Sequence, residues 1–296
     1  MASTLRRLKT GLSSMSKATT LALMVMTFFQ PLKALATEPK EYLAAKQRQK
    51  VGTLSQKIVG GEKVSSSEKQ WQVALVAAGS DDRLLSQFCS GSYLGSGFVL
   101  TAAHCVLGLS PDNFFVLSGT RNLSIGGDVS SVVKIVVHDA YNDSSLPPKV
   151  DIALLKIDPP QGLTGVGLAN ASVLESVAGK SIEVSGWGLT DPFRAQSKSE
   201  DLLKVYLPVQ SNDSCNAIDA YNGAVTETMM CAGTAAGLSD SCLGDSGGPA
   251  TIGTGSEQRL LGVVSFGEGC GAPKKYGIYT AVPYFIKWIG DKVSLN

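Results

Sequence analysis

Apolar residues fall in short bursts along this chain, each cut off by Gly, Ser, Asn or Asp. Gln72-Val73-Ala74-Leu75-Val76, Val132-Val133-Lys134-Ile135-Val136-Val137, Ile152-Ala153-Leu154-Leu155 and Leu260-Leu261-Gly262-Val263-Val264 are examples. Runs of this length, rich in β-branched residues and bounded by turn formers, predict strands of an all-β barrel design. Gly97-Phe98-Val99-Leu100 reads as one more buried strand. A single helical pattern stands out near the end, where Tyr284, Ile286, Trp288, Ile289 and Val293 share roughly one face. Pro283 sits at its first turn, a position that proline tolerates in a helix.

The N-terminus follows a different rule. Arg6, Arg7, Lys9 and Lys17 precede the apolar run Leu21–Phe29, and Ala34-Leu35-Ala36 then offers a small-residue cleavage pattern. This is the layout of a secretory signal peptide over residues 1–36, with Met15 as an alternative start that gives a leader of ordinary length. The run is too short to span a bilayer comfortably. Residues 37–57 are polar and basic, with Lys40, Lys46, Arg48, Lys50 and Lys57, and read as an exposed propeptide. A secreted product is expected, extracellular or, in a Gram-negative bacterium, periplasmic.

Charge and composition narrow the picture by exclusion. The formal net charge is +1, with no basic cluster for nucleic acid and no acidic tail. No internal repeat is visible. Six cysteines fit an oxidising compartment but leave many pairings open. Their spacings lack the short pairs of a zinc site.

The most telling stretch is Asp240-Ser241-Cys242-Leu243-Gly244-Asp245-Ser246-Gly247-Gly248-Pro249. It sets a serine in a tight glycine turn. A serine hydroxyl is a poor nucleophile at neutral pH and needs a base and a site for the oxyanion. Only two histidines exist, His104 and His138. His138 follows Val136-Val137 and enters a polar turn, so it reads as a hydrogen-bonded structural residue. His104 lies in Thr101-Ala102-Ala103-His104-Cys105, directly after a predicted strand. A catalytic imidazole also needs an acceptor to orient it. Asp151 heads the apolar strand Ile152–Ile157, whereas Asp112, Asp128, Asp139 and Asp143 all stand in turn-like polar contexts.

Together these pieces resemble the trypsin/chymotrypsin-like serine proteases. The order His104, Asp151, Ser246 is that family's order. The matching motifs are Ile58-Val59-Gly60-Gly61, Thr101–Cys105, Asp151–Leu155, Ser185-Gly186-Trp187-Gly188, Gly244–Pro249 and Ser265-Phe266-Gly267. The resemblance implies two packed six-stranded antiparallel β-barrels with the site between them and a C-terminal α-helix. It places the first barrel at about 58–165, the second at about 166–282 and the helix at about 283–295. It implies the bridges Cys89–Cys105, Cys215–Cys231 and Cys242–Cys270. It implies activation by cleavage at Lys57–Ile58, after which the new Ile58 amine pairs with Asp245.

The same resemblance assigns roles. Ser246 attacks the scissile carbonyl, His104 carries the proton, Asp151 orients His104, and the Gly244 and Ser246 amides form the oxyanion hole. Asp240, with Ser241 beside it, floors the primary pocket and selects Arg or Lys. Ser265, Phe266, Gly267 and Gly277 wall that pocket, with Phe266 standing where relatives more often have Trp. Expected partners are polypeptide substrates and protein protease inhibitors, with no nucleic acid and no membrane once the signal is removed. A monomer needing no cofactor is expected. No metal is expected either, because the Gly119–Asp128 loop carries a single carboxylate. Two other readings compete: a catalytically silent or very narrow-specificity homologue acting as a binding protein, and an esterase with a Gly-x-Ser-x-Gly elbow. The intact triad positions disfavour the first, and the chain order of the triad disfavours the second.

Overall fold

A computed structural model describes residues 38–43, 46, 61–65, 70–145, 147–189, 197–237, 245–268 and 272–294. The predicted bursts form strands. Six of them close a first barrel: β2 (Gln72–Ala77), β3 (Gln87–Gly95), β4 (Phe98–Thr101), β5 (Phe114–Ser118), β6 (Asp128–Val137) and β7 (Ala153–Ile157), in the order β2-β3-β4-β7-β6-β5. Pairing of β5 with β2 seals it. Closure leaves no unpaired strand edge.

The second barrel uses β9 (Ser181–Gly186), β10 (Leu203–Gln210), β11 (Met229–Ala232), β12 (Pro249–Ile252), β13 (Arg259–Phe266) and β14 (Gly277–Ala281). Its order is β10-β11-β14-β13-β12-β9, and the β9–β10 pairing closes the ring. Two short strands sit outside these rings. β1 (Glu62–Lys63) pairs with β10, and β8 (Gly167–Leu168) lies parallel to β13. The two-barrel, all-β architecture matches the expectation, and so does the terminal helix, Ile286–Ser294.

Local pattern explains local burial. In β10 the side chains of Leu203, Val205, Leu207 and Val209 point inward while Tyr206 stays exposed, the alternation a half-buried strand requires. β2 is buried at every position because one face fills the barrel and the other is covered. The terminal helix and the turn before it return to the first barrel, where Ile289 and Phe285 join its core. His138 meets that helix too, its ring 4.9 Å from Trp288, and its Nδ1 accepts the Ala140 amide at 3.1 Å. It is the structural histidine the sequence suggests. Among the described residues, no helix is long and apolar enough to cross a membrane.

One expectation needs correction. The stretch after the leader is not simply exposed: Pro39 is buried and Tyr42 is only 3% exposed, within the core of the first barrel. The cause is an aromatic socket, since Tyr42 packs edge-on against Phe88, which packs edge-on against Phe114. The short run Tyr42–Ala45 among charged residues does not announce that socket.

Two side chains stitch the barrels together. Gln72 Nε2 donates to Ser185 O at 2.8 Å, and Ser185 Oγ donates to Gln72 Oε1 at 2.6 Å. Both residues are buried.

Candidate active site

Strand register delivers the first pair of groups. β4 and β7 run antiparallel with Thr101 opposite Ala153. His104 follows the end of β4 in the short helix Ala103–Val106, and Asp151 precedes the start of β7. The two therefore emerge side by side at the same rim of the barrel. The Cys89–Cys105 disulfide fixes the His104 helix to β3. Asp151 Oδ1 accepts the His104 amide at 2.9 Å, and Oδ2 lies 2.7 Å from His104 Nδ1. The second barrel adds a third member. Ser265 Oγ, on β13, donates to Asp151 Oδ2 at 2.5 Å, and Thr280 Oγ1 donates to the Asp151 carbonyl at 2.8 Å. Asp151 is 1% exposed, whereas Asp112, Asp128, Asp139 and Asp143 are all exposed.

A carboxylate buried this deeply is costly unless it is paired and hydrogen-bonded. Burial alone would raise the Asp151 carboxyl, but the adjacent His104 charge and the bonds from His104 and Ser265 hold it below its usual value of 3.8. Burial would likewise lower the His104 imidazole. The Asp151 charge and hydrogen bond overcome this and, with a further contribution from Glu41, bring it to about 9.

The serine turn comes from the second barrel. Asp245 and Ser246 are both buried. Gly248 donates to Asp245 O at 2.8 Å, and Gly247 donates to Val264 O at 2.9 Å, so the turn hangs on β13. Ser90 donates to Ser246 O at 2.8 Å, which ties the same turn to the first barrel beside Cys89. Gly247 has φ +76°, and a Cβ there would strike Thr101 Oγ1 and Ser90 O. Only glycine satisfies both constraints. The Asp245 carboxylate accepts the Gly188 amide at 2.8 Å and fills the space a side chain would need at Gly186 or Gly188.

The structure thus gathers His104, Asp151 and Ser265 into one hydrogen-bonded cluster. It attaches Ser246 to the same rim through backbone. Among the described residues it does not join the Ser246 hydroxyl to His104, whose Nε2 lies 3.7 Å from Cys105 Sγ. Such bonds commonly tighten only with substrate bound. Of the expected pocket walls, Phe266 is half-buried and meets Tyr221 edge-on at 5.9 Å, Gly267 is exposed, and Gly277 pairs with Ala232 inside the barrel. Asp240, Ser241, Gly244, Lys57 and Ile58 lie outside the described residues, as do Cys242 and Cys270. The Cys215–Cys231 bridge is formed.

His104, Cys89 and Cys105 cluster closely enough to suggest a metal site, but the two sulfurs are joined to each other and offer no thiolate. In the Gly119–Asp128 loop, Arg83 donates to Gly126 O at 2.6 Å, so a cation already occupies that carbonyl. Sequence reasoning placed Ser265 only in a pocket wall and missed its bond to Asp151. The contact spans 114 positions and no local pattern reports it.

Residues 58–289 match the family model described as Trypsin. The chain is 34% identical over 246 residues to trypsin eta of Drosophila erecta, covering 80% of this chain and 90% of that protein. It is 35% identical over 240 residues to trypsin eta of Drosophila melanogaster, with 80% and 88% covered. Trypsin of Saccharopolyspora erythraea is 34% identical over 238 residues, covering 80% of this chain and 98% of that protein.

Proposed function

Because the chain belongs to the trypsin family of serine proteases, we propose that it is a secreted zymogen of an endopeptidase that cuts after Arg or Lys. The buried Asp151, bonded at once to the His104 amide, the His104 ring and the Ser265 hydroxyl, carries this reading. Such a carboxylate fixes the tautomer that leaves Nε2 free to take a proton and stabilises the imidazolium that results.

In the proposed reaction Ser246 Oγ attacks the peptide carbonyl carbon while its proton passes to His104 Nε2. The carbonyl oxygen becomes an oxyanion held by the Gly244 and Ser246 amides. Collapse breaks the C–N bond, and His104 gives its proton to the departing amine. Water then attacks the acyl carbon while His104 takes one of its protons, the bond from that carbon to Ser246 Oγ breaks, and His104 returns the proton to Ser246 Oγ. The removal of one oxyanion donor typically costs about 10²–10³ in turnover.

Activation follows from Asp245. Cleavage at Lys57–Ile58 would create a charged amine able to pair with this buried carboxylate. Breaking a buried pair by removing one partner costs about 3–5 kcal/mol. The specificity reading rests on Asp240 at the pocket floor, and Lys57 before the cut would suit the same pocket. Secretion rests on the leader at residues 1–36.

The test is hydrolysis of matched peptide reporters ending in Arg, Lys, Phe or Ala by chain cut at Lys57, with Ser246→Ala as control. Arg and Lys turnover that vanishes in the control is expected. Turnover of Phe or Ala instead would keep the triad and remove the role of Asp240. No turnover of any reporter would overturn broad cutting after Arg or Lys and favour a binding homologue or a very narrow protease.

A further inference from the structure

The expected propeptide is not idle on the surface. Residues 40–43 form a helical turn, in which Leu43 donates to Pro39 O at 3.0 Å. Tyr42 seats its ring 5.5 Å from that of Phe88, edge-on, and its hydroxyl donates to Asn113 O at 3.4 Å. Lys46 donates to Ala78 O and holds its ammonium 5.6 Å from the Tyr42 ring. Phe88 is the residue before Cys89, whose disulfide partner Cys105 adjoins His104. The segment is therefore anchored on β3, the strand to which the disulfide ties the His104 helix.

Its other end faces the chemistry. Glu38, Pro39, Lys40 and Glu41 form one wall of a cavity of about 390 Å³. His104, Ser265 and Phe266 are among the residues that line the rest of it. These are groups that a substrate must reach on the reading above. No cysteine lies in residues 37–57, so nothing covalent would retain this segment once Lys57 is cut.

We propose that residues 38–43, with Lys46, belong to a built-in inhibitory segment, with Tyr42 plugged into the Phe88–Phe114 socket and Glu38–Glu41 standing across the mouth beside His104. Cleavage at Lys57 then gives a noncovalent complex, and the fragment must dissociate before the site opens. The proposal rests on the reading of Lys57 as the activation point. It adds a second lock, on the base side of the cleft, to the one at Asp245. The occupant is this chain's own segment, identified by an aromatic anchor with basic flanks.

The test uses the full precursor with Ser246→Ala, which prevents self-cleavage. Thr53→Asp, Leu54→Asp, Ser55→Asp and Gln56→Asp let a protease specific for Asp-Asp-Asp-Asp-Lys cut only after Lys57. After cutting, gel filtration and mass spectrometry ask whether the fragment stays with the domain. Retention is expected with Tyr42 or Tyr42→Phe, and release with Tyr42→Ala. Release of all three, or retention of all three, would overturn the proposal. A second arm avoids any folding defect of the precursor variants. Synthetic peptide 37–57 is added to cleaved Ser246 enzyme after the native fragment has been removed. Inhibition is expected, about thirtyfold weaker for the Tyr42→Ala peptide, the loss typical of truncating an aromatic anchor. Equal inhibition by both peptides, or none by either, would overturn the socket. Retention is read without catalysis, so a bound fragment on a protein that cuts no reporter would sink broad cutting after Arg or Lys and leave the docking intact. Strong turnover with no retention would do the reverse.

Discussion

The two halves of the site are fastened in different ways. On the first barrel, His104 and Asp151 are locked side chain to side chain, with a disulfide behind the histidine and Ser265 reaching across from the second barrel. On the second, the Ser246 turn is held through backbone amides, and through one carboxylate pressed against Gly186 and Gly188. The first half owes its shape to charge and tautomer, the second to backbone conformation. Damage to the first half should spoil proton transfer far more than it spoils stability. Damage to the second should spoil geometry and stability together. A precursor that must stay silent gains by acting on each half separately, with Ile58 governing Asp245 and Tyr42 governing the approach to His104 on the readings proposed above.

The most forceful way to break this contrast is Asp151→Asn. The amide would offer a donor to His104 Nδ1 and invert the tautomer without changing the packing. Turnover of Arg reporters should fall on the order of 10⁴-fold, a magnitude taken from relatives of this chain, while the melting temperature falls only modestly. A large drop in melting temperature would show that the two halves are not separable. Gly188→Ala attacks the other half. Its Cβ would sit 2.6 Å from Asp245 Oδ2. Overpacking of this kind costs about 1–3 kcal/mol, so activity should fall by up to about 100-fold and thermal stability should fall with it. Undiminished stability would show that Asp245 has room to move.

Ser265→Ala sharpens the comparison with a smaller effect, about tenfold in turnover, because a hydrogen bond to a charged group is worth about 1.5–3 kcal/mol and only part of that serves the transition state. Its pH signature is more specific. The Asp151 carboxyl is depressed in the folded chain, so its contribution to stability is present above the ordinary value of 3.8 and is lost as pH falls below that value. The deficit of Ser265→Ala in thermal denaturation should therefore be largest at neutral pH and shrink in acid. A deficit that does not change with pH would make Ser265 a packing residue only.

Much of this was legible in the sequence, and the part that was not has a common cause. The strand bursts, the His104 and Asp151 contexts and the glycine turn at Ser246 are local patterns, and local patterns survive in one dimension. The Cys89–Cys105 and Cys215–Cys231 bridges needed the family resemblance, because spacing alone leaves the pairing open. The seat of Tyr42 could not be read. A lone aromatic among Lys40, Lys46, Arg48 and Lys50 has no apolar period around it, and its socket is assembled from two different strands. The connection between β2 and β3 is a middle case. Asp82 caps the short helix Arg83–Ser86 by accepting the Leu85 amide at 3.0 Å, a cap whose residue type is visible but whose helix is too short to show a period.

The Gln72–Ser185 clamp carries a consequence for how the molecule comes apart. Each residue uses a donor and an acceptor on the other, and both are sealed from water. Sliding one barrel over the other would strand four polar atoms at once, a penalty charged to any partial separation. Neither lobe can therefore melt, tilt or breathe at leisure while its neighbour stays whole, and heat should meet one cooperative object where the topology shows two.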